Sequence, residues 1–221
     1  MQFLKAQSDI IGVILIVLIA IALIGVAFTF LGPLLTKNND RALGDRVEAF
    51  FSTTNPNSLP AKIEAIANGG GRDTAVLDLT PGSGIAFIYP ATYAGGQNNS
   101  IDFSFQSTDT KYAADGSWVS ASGGSCPPTA GALGQEGPSV VCVRTDKTSG
   151  GRYNITYRLQ MRELEDAEKA NGFRIDLVQH PASPASLGGT TSEIRIEFGG
   201  RTQTTVGGKN LIITSVKILL V

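Results

Sequence analysis

The chain has 221 residues, a formal net charge of −1, and one histidine and two cysteines. That length can bury a sizeable core, and the near-zero charge excludes the basic field that nucleic acid requires. One histidine and two cysteines leave too little for an ordinary metal cluster or a histidine-based triad, so no cofactor and no catalysis are expected.

Residues 9–37 read DIIGVILIVLIAIALIGVAFTFLGPLLTK, and from 10 to 35 there is no charge and only Thr29 carries a polar group. As a helix, residues 10–35 would be roughly 39 Å long, against a bilayer core of ~30 Å. The apolar residues keep to no single stripe, so the helix must be enclosed on all sides, by lipid or by other helices. The apolar run is too long for the core of a cleaved secretory signal, and nothing after Leu35 looks like a small-residue cleavage site.

The junction Lys5-Ala6-Gln7-Ser8-Asp9-Ile10-Ile11-Gly12-Val13-Ile14-Leu15 resembles the N-terminal signature of archaeal type IV pilins. The resemblance covers about 30 residues, and Asp9 stands where that family usually has proline. Ile11 occupies the position where bacterial type IV pilins carry a glutamate, which disfavours that subfamily. The resemblance implies a leader of residues 1–6, cut by a prepilin peptidase between Ala6 and Gln7, with Lys5 as the basic residue before the cut. Residues 7–51 would then form the assembly helix and residues 52–221 an extracellular head. In a homo-oligomeric helical filament, Ile10, Val13, Leu15, Leu18, Phe28 and Phe30 would fill the shared core. Gly12, Ala20, Ala22, Gly25 and Ala27 would let neighbouring helices approach closely. The other partners implied are the assembly machinery, the membrane before assembly, and cell surfaces or glycans outside. The alternative is an uncut signal anchor holding a surface binding module, with Ser8 or Asp9 as an ordinary N-cap. Lysines and arginines at the two ends of the segment do not favour an outside C-terminus.

Beyond the apolar run, Gly32-Pro33 is expected to kink or break the helix. After the polar stretch 37–40, Leu43, Val47 and Phe50 or Phe51 fall on one helical face, which predicts docking onto the head. Residues 52–60 (STTNPNSLP) are turn-rich and end it. From there the period becomes two: Ala75, Leu77, Leu79; Ile85, Phe87, Tyr89; Ile101, Phe103, Phe105; Tyr153 to Met161 in alternation; Phe173, Ile175, Leu177; Ile194, Ile196, Phe198. Residues 211–221 are the most apolar and are expected at the centre of a sheet. Eight to ten short strands predict an α+β chain: a long N-terminal helix, then an antiparallel β-sandwich head of Ig-like or pilin-like kind.

Cys126 and Cys142 bracket a loop rich in proline and glycine, which points to a disulfide worth about 3 kcal/mol and to an oxidising setting. Two separate buried thiols are the alternative. Asn98 and Asn154 head N-glycosylation sequons. The acidic run Glu163, Glu165, Asp166, Glu168 lacks cation-loop spacing and reads as a solvated turn. His180 reads as a loop residue, the paired glycines as hairpin turns, and Tyr93, Tyr112 and Trp118 as caps on the ends of a sandwich core.

Overall fold

The computed structural model describes residues 2–80, 82–94, 96, 98–128 and 130–221, the side chains of 2–11 and of 13 excepted. Two helices, α1 (Gln2–Phe51) and α2 (Leu59–Gly69), precede the strands. In chain order these are β1 (Arg72–Asp78), β2 (Gly84–Tyr89), β3 (Ser100–Ser107), β4 (Trp118–Ser120), β5 (Ala130–Ala132) and β6 (Ser139–Lys147). Then follow β7 (Tyr153–Met161), β8 (Glu163–Glu165), β9 (Asn171–Gln179), β10 (Ser186–Gly189), β11 (Thr191–Val206) and β12 (Lys209–Leu220). The contacts divide the chain into two units, Met1–Asn39 and Asp40–Val221.

The described residues of the first unit are all helical. Of the kink or break expected at Gly32-Pro33, the break does not occur: α1 runs on to Phe51 with Pro33 inside. Proline removes one donor from a long ladder, and the rest of the 50-residue helix carries it past Gly32-Pro33. Hydroxyls also bond within this stretch: Thr29 donates to the Val26 carbonyl (2.7 Å) and Thr36 to that of Gly32 (3.1 Å).

The second unit is a two-sheet head. One sheet has the order β1-β11-β12-β9-β8-β5, the other β10-β2-β3-β7-β6-β4. The expected helix followed by a β head is therefore present, with β12 inside its sheet as its apolar sequence predicts. Two details differ. There are twelve strands among the described residues, and β12–β9 and β5–β8 are parallel. After β9 the chain leaves its sheet, adds β10 to the edge of the other, then returns through β11, which brings β12 beside β9 in the same direction.

The inner faces bury Ile101, Phe103, Phe105, Ile155, Tyr157, Leu159, Ile175, Leu177, Ile194, Ile196, Val216 and Ile218, as the alternation predicts. Leu43, Val47, Phe50 and Phe51 from the end of α1 join that core. Phe51 stacks on Tyr157 with ring centroids 5.8 Å apart. Burying each such side chain stabilises the head by about 1.5–3 kcal/mol.

Two sequence readings are corrected. The period does not turn to two at Pro60, because α2 intervenes. Ser58 caps it by accepting from the Ala61 N–H (3.4 Å), Pro60 sits in the first turn, and Gly70 ends it at φ 77°. Leu59, Ile63, Ile66 and Ala67 then meet the core at helical spacing. The phase of β2 is also opposite to expectation. Gly84, Ala86 and Ile88 face inward, while Ile85 is exposed and Phe87 and Tyr89 are half-buried. Packing decides this: the Phe103 ring occupies the place a Cβ at Gly84 would need, so this strand must turn its small residues inward. Of the paired glycines, Gly207-Gly208 makes the hairpin turn between β11 and β12 and Gly150-Gly151 lies in that between β6 and β7, while Phe198–Gly200 is a bulge within β11.

Candidate functional site: apolar helix and disulfide loop

Every large apolar side chain described from Ile14 to Leu35 is exposed, Phe28 at 72 % and Phe30 at 70 %. Leu15, Leu18, Ala20, Ala22, Gly25 and Ala27 are exposed as well, and Gly12 is intermediate. At 1.5 Å per residue, residues 14–35 make roughly 33 Å of uncovered apolar helix. This is a helix long and apolar enough to cross a membrane, and it is compatible with an anchor or a signal. A Cβ at Gly12 or Gly25 would meet nothing, so no neighbour in the chain requires a glycine at either place. The processing residues Lys5, Ala6 and Gln7, and Ile10 and Val13 of the assembly set, have side chains outside the described residues.

Cys126 and Cys142 are joined in a disulfide, Cα to Cα 5.7 Å. The bridge starts from β6 in one sheet, and the loop it closes supplies β5 to the edge of the other. The loop is braced a second time by Arg162, which lies between β7 and β8, where the chain passes from sheet to sheet. Arg162 Nε donates to the Gly137 carbonyl (3.0 Å), and its Nη2 lies 3.3 Å from the Glu136 carboxylate. Glu136 also accepts from the Ala132 N–H (2.7 Å), which with the Arg162 charge holds its carboxyl below the usual range. A Cβ at Gly131 would come within 2.8 Å of Arg162 Cζ, so the loop needs a glycine where it passes over the guanidinium.

Asn98 is exposed, whereas Ser100, the third residue of its sequon, is fully buried. Asn154 is half-buried on β7, and its sequon partner Thr156 shares a hydrogen bond with Ser104 (2.8 Å). The neighbour Asn99 ties the sheets together. At φ 57°, its Nδ2 donates to the carbonyls of Met161 (3.2 Å) and Ile175 (2.7 Å), and its Oδ1 accepts from the Leu177 N–H (2.7 Å). Nothing in the sequence marked it, because an asparagine inside NNS reads as part of a sequon or turn.

The acidic run is not a free turn. Glu163 and Glu165 lie in β8 and both pair with Lys209, while Asp166 accepts from Asn171 and from the Ala170 N–H across the β8–β9 turn. No group of three potential metal ligands exists among the described residues. His180 closes a turn, its Nδ1 accepting from the Ala182 N–H (3.1 Å). Trp118 lies on edge strand β4, with the Arg158 guanidinium 4.1 Å from its ring centroid. Arg158 in turn grips Asp102 with two bonds (2.8 and 2.6 Å). Tyr112 meets Tyr157 edge-on, and Tyr93 meets Tyr89. Burial pushes the Tyr157 phenol far above the tyrosine range, with its bond to the Tyr112 hydroxyl acting the same way.

No protein family, curated protein or solved structure matches the chain. What the coordinates define is a class: a long apolar N-terminal helix, as in pilins, followed by a mostly β head of two sheets closed by a disulfide.

Proposed function

We propose that the chain is a structural subunit of an archaeal type IV pilus-like filament. The observation that carries this is the uncovered apolar length of α1 beside a head whose core is already filled without it. In this reading the precursor sits in the cytoplasmic membrane with the head outside. A prepilin peptidase cuts after Ala6, removing Lys5, whose charge is costly inside an apolar core. The helix then passes from lipid into a bundle of identical helices. Association there rests on close van der Waals packing, helped by small residues such as Ala20, Ala22, Gly25 and Ala27. Outside the membrane, each Val, Leu or Ile side chain kept from water is worth about 1.5–3 kcal/mol, so a subunit does not leave. A contact that repeats without closing gives a helical fibre. The head coats it, and the chain does no catalysis.

A second reading is a minor or singly anchored subunit acting as a binding module, and the membrane-crossing length of α1 favours the anchoring. Mass spectrometry of material sheared from cells separates processing from anchoring. The filament reading expects Gln7 at the N-terminus of polymerised protein. Met1 at the N-terminus of a monomer that stays with the membrane would contradict it.

A further inference from the structure

The outer edge of β11 is covered along only part of its length. From Thr191 to Glu197 it pairs with β1, and the last bond on that side runs from the Phe198 N–H to the Gly71 carbonyl (2.9 Å). The bulge at Phe198–Gly200 then shifts the register, and no described strand lies beside residues 200–206 on that side. The other neighbour, β12, fixes which main-chain groups are left over. Its Asn210 N–H points toward β9, donating to the Ala170 carbonyl (2.8 Å). Lys209, Leu211 and Ile213 are therefore the residues that bond back to β11, through Val206, Thr204 and Thr202. The N–H and C=O of Arg201, Gln203 and Thr205 face outward, and no described residue bonds them.

All of 201–206 is exposed. Sheet edges are commonly blunted by proline or by charge. Here the run RTQTTV has no proline, and its one charge is turned away from the edge. The Arg201 guanidinium donates to the Ala67 carbonyl (3.0 Å) and to the Thr214 hydroxyl (3.3 Å). Threonine and valine favour the extended backbone, so the ribbon already has the form that a further strand needs.

We propose that this edge pairs, antiparallel, with the same edge of a second copy of the chain, joining two heads into one continuous sheet. Centred on Gln203, the pairing sets each Arg201 opposite the partner's Thr205 and each Gln203 opposite the partner's Gln203. Every outward N–H and C=O of the three residues then gains a bond. The side chains agree with that register. A glutamine amide both donates and accepts, so two of them can bond one another, and no like charges are opposed. An unrelated extended segment finds no charge on this edge to select it, whereas the edge is its own complement. The contact is isologous and closes on two chains, unlike the open contact of a fibre, and it does not rest on the filament reading.

The test uses full-length chains carrying single added cysteines, in a zwitterionic detergent, mildly oxidised and run on non-reducing gels. The native cysteines are bonded to each other, so only the new thiol is free. Opposed residues at hydrogen-bonded positions have Cα atoms about 5.5 Å apart, within reach of a disulfide. Gln203→Cys is expected to link to itself, and a mixture of Arg201→Cys and Thr205→Cys to give the mixed dimer. Thr205→Cys alone, whose Cα atoms lie more than about 7 Å apart in this register, is expected to link about tenfold or more slowly. Random collision, or association through α1 alone, gives no such pattern. Gln203→Pro removes an N–H that bonds nothing within the head, and placed in both chains it is expected to abolish the mixed dimer. Near-UV circular dichroism checks that each variant is folded, and the cysteine pattern decides the matter even if the proline variant is not. Equal linking of Thr205→Cys and Gln203→Cys, no linking at any of these positions, or a mixed dimer that survives a folded Gln203→Pro would overturn the proposal.

Discussion

The two ends of α1 share one continuous helix and differ in what their side chains meet. Around Phe28 and Phe30 the rings are exposed, whereas Phe50 and Phe51 are buried in the head core. The difference lies in pattern, not in helix propensity. Leu43, Val47, Phe50 and Phe51 form a stripe among charged neighbours, and a stripe can be satisfied by one packing surface. Residues 14–35 are apolar on every side, which no single surface of the same chain can cover. The first kind of helix completes a domain, and the second requires a medium or a multimer.

Phe51→Ala is the most severe way to probe this contrast. It removes a ring that is 1 % exposed and stacked on Tyr157, and should cost the head about 3–5 kcal/mol in urea unfolding followed by near-UV signal. Phe28→Ala, an equal loss of atoms, should leave that unfolding curve unchanged. If the two variants cost the head the same, the contrast is void.

Cutting the disulfide sharpens the comparison within the head. Cys126→Ser with Cys142→Ser should lower head stability by about 3 kcal/mol, read from the same unfolding midpoint. Asn99→Ala should follow at about 2–3 kcal/mol, since three buried backbone groups lose their partner together. Hydrogen exchange at Leu177, whose N–H donates to Asn99, should rise in that variant.

The smallest effect is one of pH. The folded Tyr157 phenol titrates above its unfolded value, so its contribution is fully present below about pH 10, the unfolded tyrosine range. It is lost as pH rises further, because the unfolded chain gives up a proton that the folded one keeps. Tyr157→Phe should cost about 1 kcal/mol at neutral pH and blunt the alkaline loss, measured as unfolding midpoints from pH 8 to 11. An unchanged alkaline slope would mean that other groups govern it.

Much of this architecture was legible because burial and period agree. The runs at β3, β7, β9 and β11 have large apolar residues at every second place, so only one phase could be buried. The strand at 84–89 misled because large apolar residues occur on both phases. Phe103 settles the choice by filling the space beside Gly84, and a contact between strands is invisible in a single strand's sequence. The α2 signals, Ser58 before Leu59-Pro60 and Gly69-Gly70 at the end, were in the sequence but were masked by the turn-like STTNPNS before them. The disulfide was readable from two cysteines around one loop. Asn99 and Arg162 were not, because each acts on residues brought near only by the meeting of the sheets.

The most direct measurement is negative-stain electron microscopy after detergent removal, comparing a chain beginning at Gln7 with one beginning at Asp40, where the second compact unit starts. The first is expected to form long threads of uniform width, and the second to remain a folded, dispersed head. Threads of the same width from the Asp40 chain, or a dispersed monomer from the Gln7 chain, would contradict the claim that the uncovered half of α1 drives assembly.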